Sequence, residues 1–244
     1  MTNWWHVSWK QAVIALAAIF AVMWLTGEAM KWLAPWTEAR SMARDNPALA
    51  HLPALLPDQS LAVLSDNPIM IFGLTVHTAW SRFGTIQSAP GLAIIPFPER
   101  HIEMLLYEPH QDNFEMVMWN ITKAGSMKTG SSSYELLAAE MATTPDQVKW
   151  WRSPYQNEAR SFLLEMKSLT LTDMRVIYLV NIGGWHGFQE GNPAVPPYRV
   201  RLDLFDLADY HYELVISAKG DGRPAFSQAE INALVASLKP IPHN

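Results

Sequence analysis

The longest apolar stretch of the chain lies near its N-terminus. Residues 11–27, QAVIALAAIFAVMWLTG, contain no charged side chain. As a helix this run would be roughly 25 Å long, close to the ~30 Å hydrocarbon core of a bilayer. The pattern predicts an uncleaved membrane anchor through residues 11–27, in preference to a buried globular helix or a cleaved signal peptide. Tryptophans lie at both ends, as in the aromatic belts of a spanning helix: Trp4, Trp5, Trp9, Trp24, Trp32 and Trp36.

The charges that flank this run bear on its orientation. Lys10 lies before it, whereas Lys31, Arg40 and Arg44 follow it closely. By the positive-inside rule these charges favour a cytoplasmic C-terminal domain. A short tail before a large domain is, however, the usual layout of a signal anchor whose domain is exported. The sequence leaves both orientations open, and we expect a single-pass protein of the cell (inner) membrane with a periplasmic or otherwise extracytoplasmic domain.

The segment that follows the anchor is interrupted by prolines at positions 35, 47, 53 and 57. Between the first two lies TEARSMARD (37–45), which predicts one short helix close to the bilayer or packed on the domain. We therefore divide the chain into three parts. These are an N-terminal tail with a transmembrane helix (1–27), a juxtamembrane stalk (28–65) and a globular domain (66–244).

The first half of the globular domain predicts strands followed by helices. Alternating apolar and polar positions indicate four strands: NPIMIFGLTVHTA (67–79), GLAIIPF (91–97), HIEMLLYE (101–108) and NFEMVMWNIT (113–122). Three helices are predicted next, each from the residues that would begin it: Ser132 with Glu135, Thr144 with Pro145 and Gln147, and Ser153 with Pro154 and Gln156.

The second half predicts three more strands and a final helix. The strands are MRVIYLVNI (174–182), YRVRLDLFD (198–206) and YHYELVISA (210–218), the last two joined as a hairpin across Leu207 and Ala208. Ser227 and Glu230 have the spacing of a capping box, and Pro240 would end the helix. Short links between strands and grouped helices predict an α+β fold, an α/β sandwich in which helices pack on one antiparallel sheet.

The C-terminal stretch YHYELVISAKGDGRPAFSQAEINALVASLKPI resembles the PsbP-like α/β-sandwich superfamily. The element order extends this resemblance over residues 66–242. Members of that superfamily are largely non-enzymatic accessory, assembly or partner-binding proteins, so the resemblance implies a binding role. The predicted anchor departs from the plant members, which are soluble lumenal proteins.

Composition removes several classes of function. The formal net charge is −5, and the acidic excess lies after residue 60, so the domain lacks the clustered Lys and Arg that nucleic-acid binding requires. The chain contains no cysteine, which excludes disulfides, thiolate nucleophiles and iron–sulfur clusters. Lys128 to Gly130 spells KTG without an accompanying Ser-x-x-Lys, and GSMKTG lacks the spacing of a phosphate-binding loop. We therefore expect no cofactor.

Two His/Glu pairs suggest an alternative, metal-dependent function. His101 with Glu103, and His211 with Glu213, each lie two residues apart on a predicted strand, so each pair would share one face. If the two strands were neighbours, these nitrogen and oxygen ligands would suit a divalent ion. A metal-dependent hydrolase is the enzyme that this arrangement would support. The competing interpretation is a solvated strand face, where His and Glu are ordinary.

The stretch NIGGWHGFQEGNP (181–193) is the other candidate site. Gly183 and Gly184 interrupt a predicted strand, where glycine indicates a bulge or a close backbone approach. Trp185 and His186 would then tilt out of the sheet, with Glu190 opposite them across a turn. Three interpretations stay open: a plain hairpin connection, a loop that contacts a partner or ligand, and a catalytic acid–base loop. As a contact loop it requires a partly exposed Trp185.

These patterns favour a binding function over an enzymatic one. The leading hypothesis is a membrane-anchored, non-enzymatic accessory, assembly or partner-binding subunit of a larger membrane complex. Its expected partners are the membrane, through residues 11–27, and another membrane protein or complex. The hydrolase and a ligand-binding sensor domain are the alternatives, and the sequence does not decide whether the protein is an enzyme.

Overall fold

The computed structural model describes residues 9–110, 132–171, 176–220 and 222–240. Within these ranges the α-helices are α1 (Trp9–Asp45), α2 (Ser133–Ala142), α3 (Pro154–Thr170) and α4 (Gln228–Ser237). Short 3-10 turns lie at Pro47–Ala50, Pro98–Arg100 and Pro145–Gln147. The strands are β1 (Ala54–Leu55), β2 (Ile69–Ile71), β3 (Leu74–Val76), β4 (Gln87–Ala89), β5 (Leu92–Phe97), β6 (Ile102–Tyr107), β7 (Ile177–Ile182), β8 (Trp185–Glu190), β9 (Arg199–Phe205), β10 (His211–Ala218) and β11 (Lys239–Pro240).

The predicted α+β class is confirmed, with one correction to the sheet. The main sheet has eight strands in the order β1-β7-β8-β9-β10-β6-β5-β4. It is mixed rather than purely antiparallel, because the short strand β1 pairs in parallel with the edge of β7. The predicted hairpin at Leu207 and Ala208 is present and joins β9 to β10. A second sheet of three strands has the order β11-β3-β2.

The larger core lies between one face of the main sheet and α4 with the small sheet. Strands β6, β9 and β10 send every second side chain into this core, which gives the alternation seen in the sequence. Met104, Leu202 and Leu214 are fully buried there, facing Leu234 of α4. Helix α4 begins with the predicted capping box, since Ser227 and Glu230 each accept a hydrogen bond from the other's backbone.

A second core lies on the opposite face, under the end of α1 with α2 and α3. Ala39 and Leu49 are fully buried in it, together with Leu164, Ile177 and Phe188. Helix α2 has the predicted Ser132–Glu135 capping box. The main sheet is therefore covered on both faces.

Three of the predicted elements differ in detail. Residues 67–79 form the hairpin of β2 and β3 rather than one strand, because the backbone turns at Phe72 and Gly73, both with positive φ. The helix predicted after Thr144 is only the 3-10 turn Pro145–Gln147. Helix α3 begins as predicted, but the Ser153 side chain makes no capping hydrogen bond. The strand predicted at 113–122 lies outside the described residues.

Helix α1 continues far beyond the apolar run. It extends to Asp45 through Pro35, so the short helix predicted at 37–45 is the last part of α1. The described part from Val13 has a mean hydropathy of 2.0 in its most apolar window, and none of that window is buried. By length and composition this helix is able to cross a membrane.

Candidate functional site

The predicted loop at Gly183 and Gly184 is a tight hairpin turn. These two glycines connect β7 to β8, with φ values of 62° and 91°. Such a two-residue turn with both φ values positive matches the twist of the flanking strands. A Cβ atom at Gly183 would lie 2.9 Å from the Ala236 Cα atom. The close backbone approach expected from the sequence is therefore present, and it is an approach to α4.

Trp185 is buried, and the expectation of a partly exposed side chain is wrong. It is the first residue of β8 and is 3% exposed. Its Nε1 atom donates a hydrogen bond to the Leu238 carbonyl oxygen at 3.2 Å, and its ring meets that of Tyr212 edge to face, with centroids 4.9 Å apart. The residues after the turn continue the sheet, so Trp185 points into the larger core rather than tilting away from it.

His186 and Glu190 lie on the other face of β8. His186 is half-buried, and its ring packs against that of Tyr134 at 4.4 Å between centroids. The predicted acid–base arrangement with Glu190 across a turn is not formed, because both residues belong to one straight strand. Four residues of strand separate them by roughly 13 Å. His186 therefore takes part in aromatic packing with α2.

Glu190 is the more unusual of the two. It is fully buried, and neither carboxylate oxygen has a hydrogen-bond partner among the described residues. It lies opposite Arg201 in the β8–β9 register. Burial, together with the neighbouring Asp203 carboxylate and against the opposing charge of Arg201, raises the pKa of Glu190 to about 8. Glu190 is thus a carboxyl group that holds its proton near neutral pH.

Strands β9 and β10 surround Glu190 with further charges. Asp203 is 1% exposed; its Oδ1 atom accepts a hydrogen bond from Arg201 at 3.2 Å and lies 3.0 Å from His211 Nε2. Arg201 Nε lies 3.1 Å from Glu213 Oε1. Burial raises the pKa of Glu213, and the charge of Arg201 opposes that effect. The Arg201 guanidinium group thus pairs with two carboxylates, those of Asp203 and Glu213, in a region of low dielectric.

The helical layer adds a fourth carboxyl group from above the sheet. Glu140 of α2 is 2% exposed and accepts a hydrogen bond from Thr170 Oγ1 at 2.8 Å. Burial raises the pKa of Glu140, the hydrogen bond from Thr170 lowers it and the charge of Asp203 raises it, which together give a pKa of about 7. We call the following residues the buried polar cluster: Glu140, Glu190, Arg201, Asp203, His211 and Glu213.

The buried polar cluster is suited to holding protons rather than a metal. Within the described ranges no group of three or more His, Cys, Asp or Glu side chains is arranged to hold a metal ion. The predicted four-ligand site does not assemble. His211 and Glu213 belong to the cluster, whereas His101 is an exposed turn residue with φ 52°, and Glu103 forms an ion pair with Lys219 at 2.7 Å.

His101 instead lines a basic cleft of about 510 Å³ at the start of β6 and the end of β10. Arg100, Lys219 and Arg223 also line it, with Glu99 as its acidic residue. The Arg100 guanidinium is held in place by hydrogen bonds to the Ala225 carbonyl oxygen and to Glu230 of α4. Three cationic side chains line the cleft, and two of them also pair with carboxylates, Arg100 with Glu230 and Lys219 with Glu103. This lining suits an anionic ligand better than a metal cation.

A buried lysine, missed by the sequence analysis, joins the helical layer to the chain after α1. Lys167 of α3 is fully buried, and its ammonium nitrogen lies within hydrogen-bonding distance of four backbone carbonyl oxygens, two of which must share one of its three N–H groups. The acceptors are Leu49 at 3.3 Å, and His51, Met141 and Thr143 at 2.9 Å each. Because these acceptors belong to two separate segments, the single side chain fixes the 3-10 turn that follows α1 and the end of α2 to α3.

The sequence carried weak signals for these residues. Arg201, Asp203 and Glu213 occupy alternate positions of strands whose other positions are apolar, a pattern that also describes a solvated face. The one indication that this face is buried was that α2 and α3 carry apolar side chains, which have to pack against a face of the sheet.

Compared with known proteins, the chain matches no protein-family model, no curated protein and no solved structure.

Proposed function

We propose that this protein is a membrane-anchored, non-enzymatic accessory or partner-binding module, and that it serves as a subunit of a larger membrane complex. The observation that carries the proposal is that the two parts of α1 have different surroundings. Its N-terminal part exposes apolar side chains, such as Ile14 at 68% and Phe20 at 68%. Its C-terminal part is built into the second core of the domain. A single helix thus joins a lipid-facing surface to the folded domain.

Direct contacts hold the C-terminal part of α1 on the domain. Ala39 is fully buried, and Ser161 of α3 donates a hydrogen bond to the Pro35 carbonyl oxygen at 3.1 Å. Arg40 lies 3.6 Å from Asp146 in an exposed ion pair, which adds little energy but shows how closely the segments approach. Together with the Lys167 hydrogen bonds, these contacts fix the domain on its anchor. A fixed height and orientation above the bilayer suits a subunit that must meet a partner in the same membrane.

The chemistry of the described residues also favours binding. The buried polar cluster is covered by α2 and α3, and its carboxyl groups interact with each other and with one arginine. The metal-ligand set that the hydrolase alternative requires does not come together. The PsbP-like resemblance remains an expectation from the sequence, and the accessory role it implies agrees with the proposal.

Copurification tests this proposal. The full chain, with an affinity tag after Asn244, is extracted from its native membrane in mild detergent and analysed for stoichiometric partners. We expect a defined membrane protein to copurify. A monodisperse chain without a partner, recovered from membranes that retain it against alkaline carbonate, would contradict the accessory role while leaving the anchor intact. A chain released by carbonate would contradict the anchor itself. A topology reporter at the same position decides the proposed extracytoplasmic location.

A ligand-binding function is the second candidate, because the basic cleft is a specific observation in its favour. Thermal unfolding of the full chain with and without inorganic phosphate or a dicarboxylate tests it. An anion that binds should raise the melting temperature, and Arg223→Gln should reduce that rise. Arg40→Gln is the matched control, since Arg40 is exposed and forms its ion pair with Asp146, and neither residue lines the cleft. An anion effect that both variants retain would refute this second function.

A further inference from the structure

A group of exposed aromatic and basic side chains lies immediately before and at the start of α3. Trp150 is 53% exposed, Trp151 61% and Tyr155 67%. Lys149 and Arg152 lie beside the two tryptophans in the sequence, and the Lys149 ammonium lies 5.7 Å from the centre of the Trp151 ring. Large exposed aromatic residues in one group mark an interaction surface. We call residues 149–155 the aromatic loop.

The aromatic loop is held in a defined shape. Asn157, fully buried, accepts a hydrogen bond from the Lys149 backbone N–H at 3.2 Å. The amide nitrogen of Asn157 donates in turn to the carbonyl oxygens of Lys149 and Arg152. Val148, immediately before the loop, is fully buried in the second core. With both ends fixed, the indole rings of Trp150 and Trp151 project outward, 5.7 Å apart and perpendicular to each other.

The contacts between α1 and α3 show where the loop lies along the anchor. Tyr155, at the start of α3, precedes Ser161 by six residues, or roughly 9 Å of helix. Further along α3, Ser161 contacts Pro35. Beyond that, Lys167 contacts Leu49. The two helices therefore run in the same direction, and the first residues of α3 are the ones that lie beside the membrane end of α1.

The distance from the apolar run to the loop is short. The uncharged run ends at Gly27, and Pro35, which Ser161 contacts, follows it by eight residues, or roughly 12 Å of helix. Tyr155 lies roughly 9 Å before Ser161, and therefore roughly 3 Å beyond the end of the run. Headgroups extend a bilayer from ~30 Å to about 40–45 Å in all, roughly 5–8 Å on each side. If α1 spans the membrane, Tyr155 therefore lies at the level of the headgroups. The two tryptophans lie next to it.

We infer that the aromatic loop is a second membrane contact, which inserts into the headgroup region of the bilayer that α1 spans. This inference rests on the proposed anchor. Indole and phenol rings favour this depth because they combine an apolar ring with a hydrogen-bonding group. Lys149 and Arg152 add attraction to anionic lipid phosphates. The loop and α1 together hold the domain at two points and so restrict its tilt against the bilayer.

Single-cysteine labelling tests this inference in the full chain. The sequence contains no cysteine, so Trp151→Cys and Tyr155→Cys each provide one attachment site for a polarity-sensitive fluorophore. The control is Val63→Cys, because Val63 is 91% exposed and adjoins Ala62, whose N–H bonds to α4 on the other side of the sheet. Each protein is reconstituted into vesicles of phosphatidylcholine and phosphatidylglycerol with a headgroup spin label, and carbonate resistance establishes that α1 is inserted.

We expect the labels at positions 151 and 155 to be blue-shifted, and to be quenched by the spin-labelled lipid several-fold more than the label at position 63. Lys149→Gln with Arg152→Gln in the Tyr155→Cys chain should weaken this quenching in anionic vesicles. Water-like emission at both loop positions in carbonate-resistant protein would overturn the inference while the anchor stands. Equal quenching at position 63 would also overturn it. The inference would also be overturned if the two loop labels were shielded from water only in native membranes and not in the vesicles, because that result identifies a protein as the contact.

Discussion

Trp185→Ala separates the two roles that the sequence allowed for this residue. The side chain is 3% exposed between β8 and α4, so its removal leaves a large cavity in the main core. It also leaves the Leu238 carbonyl oxygen without the indole donor and the Tyr212 ring without its edge contact. Replacing a buried Trp by Ala costs about 3–5 kcal/mol of unfolding free energy. We expect a loss of stability of that size.

The expected change in melting temperature follows from the length of the chain. For domains of 150–250 residues, 1 kcal/mol corresponds to about 2–4 °C. The variant should therefore melt roughly 6–20 °C below the wild type. The measurement is thermal unfolding of the full chain in mild detergent, followed by circular dichroism so that the loss of an indole does not alter the signal.

Trp151→Ala provides the matched control, because it removes the same side chain from an exposed position. We expect its melting temperature to stay within a degree or two of the wild type, since surface changes are usually within about 0.5 kcal/mol. If Trp185→Ala lowers the melting temperature no more than Trp151→Ala does, the burial of Trp185 and the packing of α4 on β8 would be refuted.

Three further variants test the interior of the domain. Glu190→Gln should reduce the loss of stability that occurs as the pH rises. The pKa of Glu190 is about 8 in the folded state and 4.5 in the unfolded state, so its contribution to stability is complete below pH 4.5 and is lost as the pH rises through about 8. Lys167→Met should cost about 2 kcal/mol or more, because four buried carbonyl oxygens lose their donor. Gly187→Ala should prevent folding, since its Cβ atom would lie 1.9 Å from the Asp203 carbonyl oxygen. The measurements are melting temperature against pH for the first, melting temperature for the second and soluble yield for the third.

Each of these variants has a control in the same chain. Glu99→Gln removes an exposed carboxylate, so it should leave the pH profile unchanged. Lys219→Met breaks an exposed ion pair, worth at most about 1 kcal/mol. Gly184→Ala introduces strain but meets no atom within 4 Å, so the protein should still fold. A variant that behaves like its control would contradict the corresponding contact.

Local signals in the sequence predicted the elements that local interactions determine. The capping boxes at Ser132 and Ser227 are both formed, because a cap depends on residues three apart in one chain segment. The hairpin at Leu207 was predicted from its turn for the same reason. By contrast, β1 pairs with β7 across more than a hundred residues, and a two-residue strand has no periodic pattern to reveal it.

The candidate site was predicted less well, because side-chain alternation does not show what covers each face. Trp185 was assigned to a loop since two glycines precede it, yet a two-residue turn leaves the next residue inside the sheet. Glu213 was predicted on a polar face, and it does lie on one. That face, however, is covered by α2 and α3, so Glu190 and Asp203 are buried, and burial raises the pKa of Glu190.

The positions of the prolines predicted the end of the anchor helix least accurately. Pro35 lacks an N–H group and is one of the prolines from which the sequence predicts a stalk over residues 28–65, but α1 continues through it. A proline inside a helix costs a hydrogen bond, and packing against a neighbour is what offsets that loss. Here Ser161 bonds the Pro35 carbonyl oxygen, and Ala39 is buried against α3 one turn later. The tertiary contacts therefore maintain the helix where local propensity would end it, and the same contacts make the last turns of the anchor part of the domain's core.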